Sequence, residues 1–593
     1  MMAFNDVNNV YENDILTVNG FTTRLVNLIA TCLLGRHMTR NSVSLRTTVF
    51  LPTSLVLAMF MTGCSDNAAT NSTNSSANID PNVLADTQEL VINNGTEPES
   101  LDPHKVSGVP ESNIGRQLFE GLTNTDADGK TIPGIATEWE SPDNKVWTFK
   151  LRDAKWSNGD PVTAQDFVYS MRRLVDPNTA SPYSSYLVDA KVVGADKIVE
   201  GAAGIDTLGV KAIDDKTLQV TLSEPVPYFP DMLIHNSVKP VHQKTIEAFG
   251  DKWTDPANIV VNGPYKVSKW QINDELVLTR NTSYYDDANT TLDTITMLPI
   301  PSSTTDVARY QAGEVDVTYN EIPTEQFASL KEKNGDELRV SPYLCTYYYE
   351  FNTVKPPFDN PKVRRALALS LDRDTIADKV IGQGQTAAYQ LTPIAASGKV
   401  ENKPEWSTWD KEKRIAEAKK LLNEAGYNES NPLSFELLYN TNDNHKKVAV
   451  AATSLWKQAL GFVDVTLTNK EWKTYLDTRR NGNYQIARAG WCADYNEPSA
   501  FLNIAKSDNS GNYGKYANAN FDSLMAQTLK AGVTPEQRAS LYQKAEAQLD
   551  QDMGLLNIYH YVSPRLVKPY VIGFSTKDPL DNWQGKDISI AKH

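Results

Sequence analysis

Alternating apolar and polar positions mark a series of short β-strands along the chain. In 145–152, KVWTFKLR, every second side chain from Trp147 onward is apolar, which predicts a half-buried strand. Other alternating or short apolar runs bounded by turn residues predict further strands at 90–92, 216–225, 275–280, 433–440 and 463–469.

Longer stretches with a helical period lie between these runs. Thr163 and Asp166 form a capping-box pattern that predicts a helix through Leu174. Gly426 predicts the end of a helix that begins near 411. Further helices are predicted at 109–122, 362–381, 445–460 and 536–552. Because strands and helices interleave without a strict βαβ rhythm, we expect an α/β protein with mixed sheets.

The stretch 487–498, ARAGWCADYNEP, differs from all of these because it has few aliphatic side chains. We expect it to be a loop that presents side chains rather than a core strand. Asp494 stands there between Trp491 and Tyr495, a carboxylate in an aromatic frame that suits the capture of a cationic group such as a peptide α-ammonium. The alternative is that Asp494 forms a turn by bonding its own backbone.

Composition limits the classes of function. A chain of 593 residues has enough material for roughly three or four domains. Its formal net charge of -15 argues against nucleic-acid binding, which needs clustered Lys and Arg. The 26 tyrosines outnumber the 17 phenylalanines, which suits pocket walls that must also form hydrogen bonds.

The N-terminal region predicts export. Residues 40–64 combine arginines, an apolar run and Met61-Thr62-Gly63-Cys64, the order of a signal peptide. The cysteine after a small residue resembles a bacterial lipoprotein box, so we expect Cys64 to be acylated; a simple secretory signal is the alternative. The pattern places the true start at Met38, makes 1–63 an upstream extension plus signal, and makes 64–80 a flexible tether.

Export determines whether the remaining cysteines are expected to form a disulfide. With Cys64 lipidated, Cys345 and Cys492 are the two left in the mature chain, and an oxidising compartment favours a disulfide between them. Such a bond would brace the stretch that carries Asp494.

Enzyme and cofactor motifs are missing from the sequence. It has no GxxxxGK[ST], GxSxG or HExxH, and its seven histidines are scattered without metal-site spacing. Ser454 and Lys457 match S-x-x-K, but they fall inside a predicted helix and no K-T-G follows. We therefore expect a protein that is not an enzyme and needs no metal or cofactor.

Several long strings resemble the periplasmic oligopeptide-binding proteins of bacterial ABC importers, among them GTEPESLDPHKVSGVPESN, KLRDAKWSNGDPVTAQDFVYSMRRLVDPNTASPY, PYLCTYYYEFN, EWKTYLDTRR and ARAGWCADYNEP. The resemblance runs from about Leu90 to His593 and implies a two-lobed, three-domain periplasmic binding protein fold with an interlobe ligand cleft. It implies a first lobe of 81–118, 243–344 and 562–593, a second domain at 119–242, and a second lobe at 345–561.

The resemblance also implies roles for single residues. Asp494 would bind the peptide amino terminus, and Cys345 and Cys492 would form the family disulfide. Residues expected to contact the peptide backbone or line its side-chain pockets are Val109, Tyr183, Tyr348, Trp472, Trp491 and Cys492. Those expected to meet peptide carboxylates are Arg479, Arg488 and His445. Trp472 could instead be a core residue, and Arg488 could pair internally.

Two positions depart from the family pattern. Ile381 stands where the family has a lysine, which removes one carboxylate partner and bears on peptide length. Ser107 stands where an acidic pocket residue is usual, which predicts weaker discrimination for basic side chains.

Taken with the signal segment, the resemblance implies an extracytoplasmic receptor for short peptides with little sequence selectivity. We expect a monomer in the periplasm or cell envelope, lipid-anchored through Cys64, that delivers peptides to inner-membrane permease subunits with separate ATPases and binds no nucleic acid. Alternatives are a relative that prefers murein tripeptide, or a chaperone-like or adhesive surface lipoprotein that uses the same cleft.

Overall fold

A computed structural model describes residues 79–398 and 401–593. The expected start at Met38, the lipidated Cys64 and nearly all of the predicted tether lie outside the described residues. No helix in the described part of the chain is long and apolar enough to cross a membrane.

The strands agree with the alternating pattern of the sequence. All six predicted strands are present, at positions within a few residues of the expected ones. Strands β1 to β18 are Glu89–Asn93, Thr123–Thr125, Thr131–Pro133, Ala136–Glu140, Val146–Leu151, Val210–Asp214, Thr217–Thr221, Tyr265–Gln271, Glu275–Arg280, Thr294–Leu298, Leu338–Phe351, Thr386–Ala387, Leu433–Asn440, Val463–Lys470, Ile486–Cys492, Leu555–Leu566, Val571–Ile572 and Ser589–Ile590.

Most predicted helices form with their expected ends. Asp166 Oδ2 accepts a hydrogen bond of 2.8 Å from the Thr163 backbone N–H, as the capping box predicts. Helices α1 to α15 are Val109–Leu118, Ala164–Val175, Tyr186–Asp189, Ala195–Val199, Phe229–Met232, Gln243–Phe249, Ser303–Ala312, Thr324–Asn334, Pro361–Ser370, Lys411–Glu424, Asp443–Leu460, Trp472–Arg480, Ser499–Leu502, Ala519–Gln527 and Pro535–Asp552. The predicted helix at 362–381 divides into α9 and a π-helical segment, Thr375–Ile381.

Three large sheets organise the described chain. One has the order β1-β10-β9-β8, a second β4-β5-β7-β6, and a six-stranded third β12-β16-β11-β15-β13-β14. The second is antiparallel throughout, whereas the first and third combine parallel and antiparallel pairs. The mixed α/β class expected from the sequence is therefore confirmed.

The sheets follow the predicted segments, with two exceptions. Strands β11 and β16 pair over most of their length and cross the predicted boundaries at 344/345 and 561/562. Their register shifts between Pro342 and Thr346, at the point where β11 crosses the boundary. A two-stranded ribbon with a local irregularity therefore connects the first sheet's layer to the third sheet.

The expectation of a loop at 487–498 is wrong for its first half. Residues Ile486–Cys492 form β15, which pairs with β11 and β13 inside the third sheet. Ala487 and Ala489 are fully buried there. The strand needs few aliphatic side chains because its partner β11 contributes bulky rings on both faces of the sheet: Tyr348 packs in the same core as Ala489, and Tyr347 and Tyr349 pack with Ile486 in another.

The two chain ends lie together in the first sheet's layer. The Gln88 side chain donates to the Ile590 carbonyl and accepts from the Ile590 N–H, both at 2.9 Å. Leu84 forms an isolated bridge with Ala591. The last residues of the chain are therefore part of the same core as β1.

Candidate functional site

A cavity of about 210 Å³ lies where the three predicted segments meet. Its wall contains eight of the predicted site residues: Val109, Tyr183, His445, Trp472, Arg488, Trp491, Cys492 and Asp494. These come from positions as far apart as 109 and 494, so folding brings them together. A concave site with a few convergent polar groups is typical of ligand binding.

Asp494 follows the end of β15, and its side chain is only 10% exposed. Tyr183 donates a hydrogen bond of 3.0 Å to Asp494 Oδ1, and His235 Nε2 lies 3.4 Å from the same oxygen. Within the described residues, no Lys or Arg nitrogen lies within 4 Å of the carboxylate, and no donor reaches Oδ2. A ligand cation could therefore use an acceptor that the protein leaves open.

The electrostatics around Asp494 reflect its burial. Desolvation raises the pKa of Asp494 to about 8, against the Tyr183 hydrogen bond, which lowers it. Burial lowers the pKa of His235 to about 3, so this imidazole is neutral at neutral pH and gives Asp494 no counter-charge. At neutral pH this environment favours the neutral acid form of Asp494, and a cation beside it would favour the ionised form.

Aromatic rings frame this end of the cavity. Tyr183 and Trp491 have ring centroids 6.2 Å apart, and Tyr183 lies 4.4 Å from the His235 ring. The Trp491 indole is fixed because its Nε1–H donates to the Ala500 carbonyl at 2.7 Å. The Tyr183 and Trp491 rings present apolar faces, and hydrogen bonds hold their polar groups in place. The rings therefore keep this part of the cavity open without adding a charge to it.

A disulfide joins Cys345 and Cys492, which face each other across β11 and β15. Cys492 lies two residues before Asp494, and Cys345 lies within the register shift of β11 between Pro342 and Thr346. The bond therefore fixes the strand end from which Asp494 projects.

Arg488 and His445 lie together in another part of the cavity wall. The Arg488 guanidinium donates to Asn440 Oδ1 at 3.2 Å and to the Tyr561 hydroxyl at 2.7 Å, and it lies over the Tyr347 ring at 5.0 Å. No carboxylate among the described residues lies within 4 Å of it, so the internal pair weighed for Arg488 is not found. Burial lowers the pKa of His445 well below its usual value, and the Arg488 charge adds to this.

Two predicted site residues lie outside the cavity wall. Arg479 Nε is 3.1 Å from Glu350 Oε2, and both side chains are buried. Tyr348 is 2% exposed and packs in the core. Trp472, by contrast, lines the cavity, and its indole donates to Glu111 Oε1 at 3.1 Å.

Of the two residues that depart from the family pattern, Ser107 lies in the cavity wall and Ile381 does not. Ser107 lines the cavity, and Arg480 donates to its hydroxyl at 3.0 Å while pairing with Glu99. Ile381 is 2% exposed at the end of the π-helical segment and does not line the cavity.

The sequence did not predict several residues that line the cavity, notably His235, Asn440 and Tyr561. His235 precedes a short 3₁₀-helix, Asn236–Val238, and Tyr561 lies in β16. Each reaches the site only through the tertiary fold, so no local signal marks it.

The chain was then compared with known proteins. The model of the "Bacterial extracellular solute-binding proteins, family 5 Middle" matches residues 130–513. The periplasmic oligopeptide-binding protein OppA of Escherichia coli is 56% identical over 86% of this chain and 94% of its own. The periplasmic murein peptide-binding protein MppA of the same organism is 42% identical over 86% of this chain and 95% of its own.

Solved structures give the same result for the fold. Haemophilus influenzae OppA in complex with RPPGFSPFR superimposes with a TM-score of 0.85, at 50% identity over 86% of this chain and all of that one. The E. coli murein tripeptide-binding protein also gives 0.85, but its unliganded open form gives 0.61. The lobes of this structure are therefore not arranged as in that open form.

These matches span most of the chain at high identity, and they cover nearly the full length of the relatives. The mixed sheets and the cavity between segments agree with the two-lobed fold of those structures. The chain belongs to the bacterial extracellular solute-binding proteins of family 5.

Proposed function

We propose that this protein is an extracytoplasmic receptor that captures short peptides with little sequence selectivity in its closing interlobe cleft and delivers them to an ABC permease with separate ATPases. The observation that carries the proposal is Asp494, a buried carboxylate in the cavity wall that has no Lys or Arg partner and no donor to Oδ2 among the described residues. A peptide α-ammonium has the charge and the donors that this carboxylate lacks.

The relatives support this choice of ligand. The E. coli and H. influenzae relatives are periplasmic oligopeptide-binding proteins by name, and the H. influenzae structure is a complex with the nine-residue peptide RPPGFSPFR. With 56% and 50% identity over the same span, the same ligand class is the natural assignment for this chain.

Low sequence selectivity follows from which peptide groups are constant. Every linear peptide has an amino terminus, a carboxylate and backbone amides, so a site that binds those groups accepts many sequences. Asp494 would take the amino terminus and Arg488 a carboxylate, while His445, being neutral, would donate one hydrogen bond. Water can fill the side-chain pockets at little cost.

The lobe assignment remains a proposal built on the sheets. We assign the first sheet to 81–118, 243–344 and 562–593, the second to 119–242, and the third to 345–561. Strands β11 and β16 then form the connection between lobes, and the register shift between Pro342 and Thr346 supports a hinge there. Arg479 and Tyr348 would support the cleft wall from behind in this arrangement.

The cellular setting is proposed on the sequence and the relatives. The relatives named above are periplasmic proteins. We place this protein in the periplasm or cell envelope as a monomer without catalytic activity, anchored by a lipid on Cys64.

Native mass spectrometry of the purified mature protein, without denaturation, tests the proposal. We expect co-purifying masses spread over short peptides, and binding of added tri- to pentapeptides. A protein that is empty and also ignores these peptides would contradict it. Selective retention of murein tripeptide would favour the narrower function named for the 42% identical relative.

Blocking the amino terminus of the ligand should weaken binding. Acetylation of a tripeptide removes the ammonium and leaves Asp494 buried without a partner, which should cost at least about 2 kcal/mol. Isothermal titration calorimetry of the free and acetylated tripeptide measures this difference. Equal affinities would show that Asp494 does not receive the amino terminus.

Tripeptide affinity should also depend on pH. The pKa of Asp494 is about 8 in the empty cavity, and a bound ammonium lowers it, so binding releases a proton. Affinity should therefore rise between pH 5 and pH 7.5, by up to about tenfold per pH unit. Calorimetry across this range measures the slope, and Asp494→Asn should remove it; a slope that survives in this variant would assign it to another group, such as Asp306 in the same wall.

A further inference from the structure

The cavity wall contains a second arginine whose donors are largely unused. Arg116 lies in the last turn of α1 and is partly exposed where it lines the cavity. Its guanidinium donates to Asn113 Oδ1, which is its hydrogen bond within the described residues. Its Nε is buried without a partner, and no carboxylate in the described chain lies within 4 Å of it. A guanidinium has five N–H donors, so most of them are available.

Two other arginines, by contrast, form ion pairs with carboxylates. Arg173 pairs with Asp102 at 2.6 Å, and Arg565 pairs with Asp581 at 2.7 Å. Each has a carboxylate in contact, as is usual for a buried charge. Arg116 lacks one, although burial lowers its pKa only to about 10 and it stays charged at neutral pH. Its charge is therefore available to a ligand.

The surroundings of Arg116 do not cancel its charge by contact. Asp578 and Asp581 act on it from beyond ion-pair distance. Asp581 is held by Arg565, and Asp578 accepts from the Leu580 N–H while burial raises its pKa to about 6. An entering anion would meet Arg116 as the nearest cation with open donors.

Helix α1, which carries Arg116, packs against the segment that contains His235, the imidazole next to Asp494. The Arg116 charge helps to lower the pKa of His235, and His235 Nε2 is 3.4 Å from Asp494 Oδ1. The segment beside it is fixed by Asn236, whose Nδ2 donates to the Ser112 carbonyl of α1 at 3.0 Å. Because α1 packs beside the segment next to Asp494, we expect the group that reaches Arg116 to come from a residue close to the peptide amino terminus.

We propose that Arg116 is a specificity-determining residue that binds an acidic side chain in the first two residues of the bound peptide. This inference rests on the proposed function, because it needs a peptide with its amino terminus at Asp494. Arginine and a carboxylate form a bidentate, charge-assisted pair that an amide of the same shape cannot replace. A receptor that tolerates many sequences would thus favour Glu or Asp at one defined position.

The test compares matched peptides by calorimetry with the full mature protein. The peptides are Ala-Ala-Ala, Glu-Ala-Ala, Gln-Ala-Ala, Ala-Glu-Ala and Ala-Gln-Ala, with Ala-Ala-Glu and Ala-Ala-Gln for the third position. In the unaltered protein we expect the Glu form to bind at least about fivefold tighter than the Gln form at position one or two. No such preference is expected at position three.

Variants assign the preference to Arg116. Arg116→Gln should bring the ratio of Glu to Gln affinities close to one while Ala-Ala-Ala still binds, and Arg116→Lys should keep part of it. Arg309→Gln, an exposed arginine paired with Glu314, is the matched control and should leave the ratio unchanged.

Three outcomes would overturn the inference, and they can be told apart. If the Glu and Gln peptides bind equally to the unaltered protein, the inference fails without any variant having to fold. An unchanged ratio in Arg116→Gln assigns the preference elsewhere. If Ala-Ala-Ala and all other peptides fail to bind the unaltered protein, the proposed function fails and takes the inference with it.

Discussion

Replacing Asp494 by asparagine is expected to weaken tripeptide binding by about a hundredfold, or about 3 kcal/mol. The amide keeps the shape of the side chain and can still accept the Tyr183 hydrogen bond seen at 3.0 Å. It cannot balance the charge of a buried ammonium. Removing one partner of a buried ion pair leaves the other uncompensated. Calorimetry with a free tripeptide measures the loss.

Two controls make this result specific. Asp464→Asn changes an exposed carboxylate that pairs with Lys457 on the surface and should leave affinity unchanged. An acetylated tripeptide should bind the original protein and Asp494→Asn with similar affinities, because it has no ammonium to lose. A loss of less than about fivefold in Asp494→Asn would contradict the assigned role of Asp494.

Replacing Lys506 by methionine should weaken peptide binding by about 3 kcal/mol without touching the ligand. Lys506 Nζ lies 2.7 Å from Asp189 Oδ1, and their side chains are 10% and 5% exposed. Asn509 donates to the other Asp189 oxygen at 2.7 Å. The pair joins residues from the proposed second domain and second lobe, so it forms only when the cleft closes. Without Lys506, closing would bury the Asp189 charge with the Asn509 hydrogen bond but without its ion-pair partner, and the affinity falls with the closed population.

A second interlobe ion pair provides the matched control. Lys530 and Glu224 lie 2.6 Å apart, with side chains 59% and 29% exposed. Lys530→Met should therefore cost about 1 kcal/mol or less. Calorimetry gives both affinities, and small-angle X-ray scattering with and without peptide reports closure. Equal effects of the two substitutions would contradict a special role for the buried pair.

Local elements could be predicted because their causes are local. The alternation around Trp147 places one face of β5 in the core, and the Thr163–Asp166 pair begins α2. The sequence alone pointed to Asp494 near Cys492, because both residues lie in one short stretch. The disulfide could be predicted without a structure, because Cys345 and Cys492 were the two cysteines expected to remain once Cys64 is lipidated.

The remaining features depend on distant parts of the chain. Stretch 487–492 was expected to be a loop because aliphatic content was taken as the mark of a core strand, whereas the rings of β11 supply the packing. Arg479 has a buried partner, Glu350, 129 residues away in sequence. His235 and Asp494 are distant in sequence and meet only in the folded structure. Such contacts depend on topology, which periodicity does not encode.

The meeting of the chain ends has a consequence for the order in which this protein can fold. A chain that emerges from its amino end presents β1 long before its sheet partner β10, Thr294–Leu298, exists. Gln88 gains its two backbone partners only when Ile590 has been made. The sheet layer that contains β1 therefore cannot be completed until the last residues of the chain have been made. Until the final residues have been made, the chain stays incompletely folded. Chaperones can then bind it, and it can be translocated as an unfolded chain.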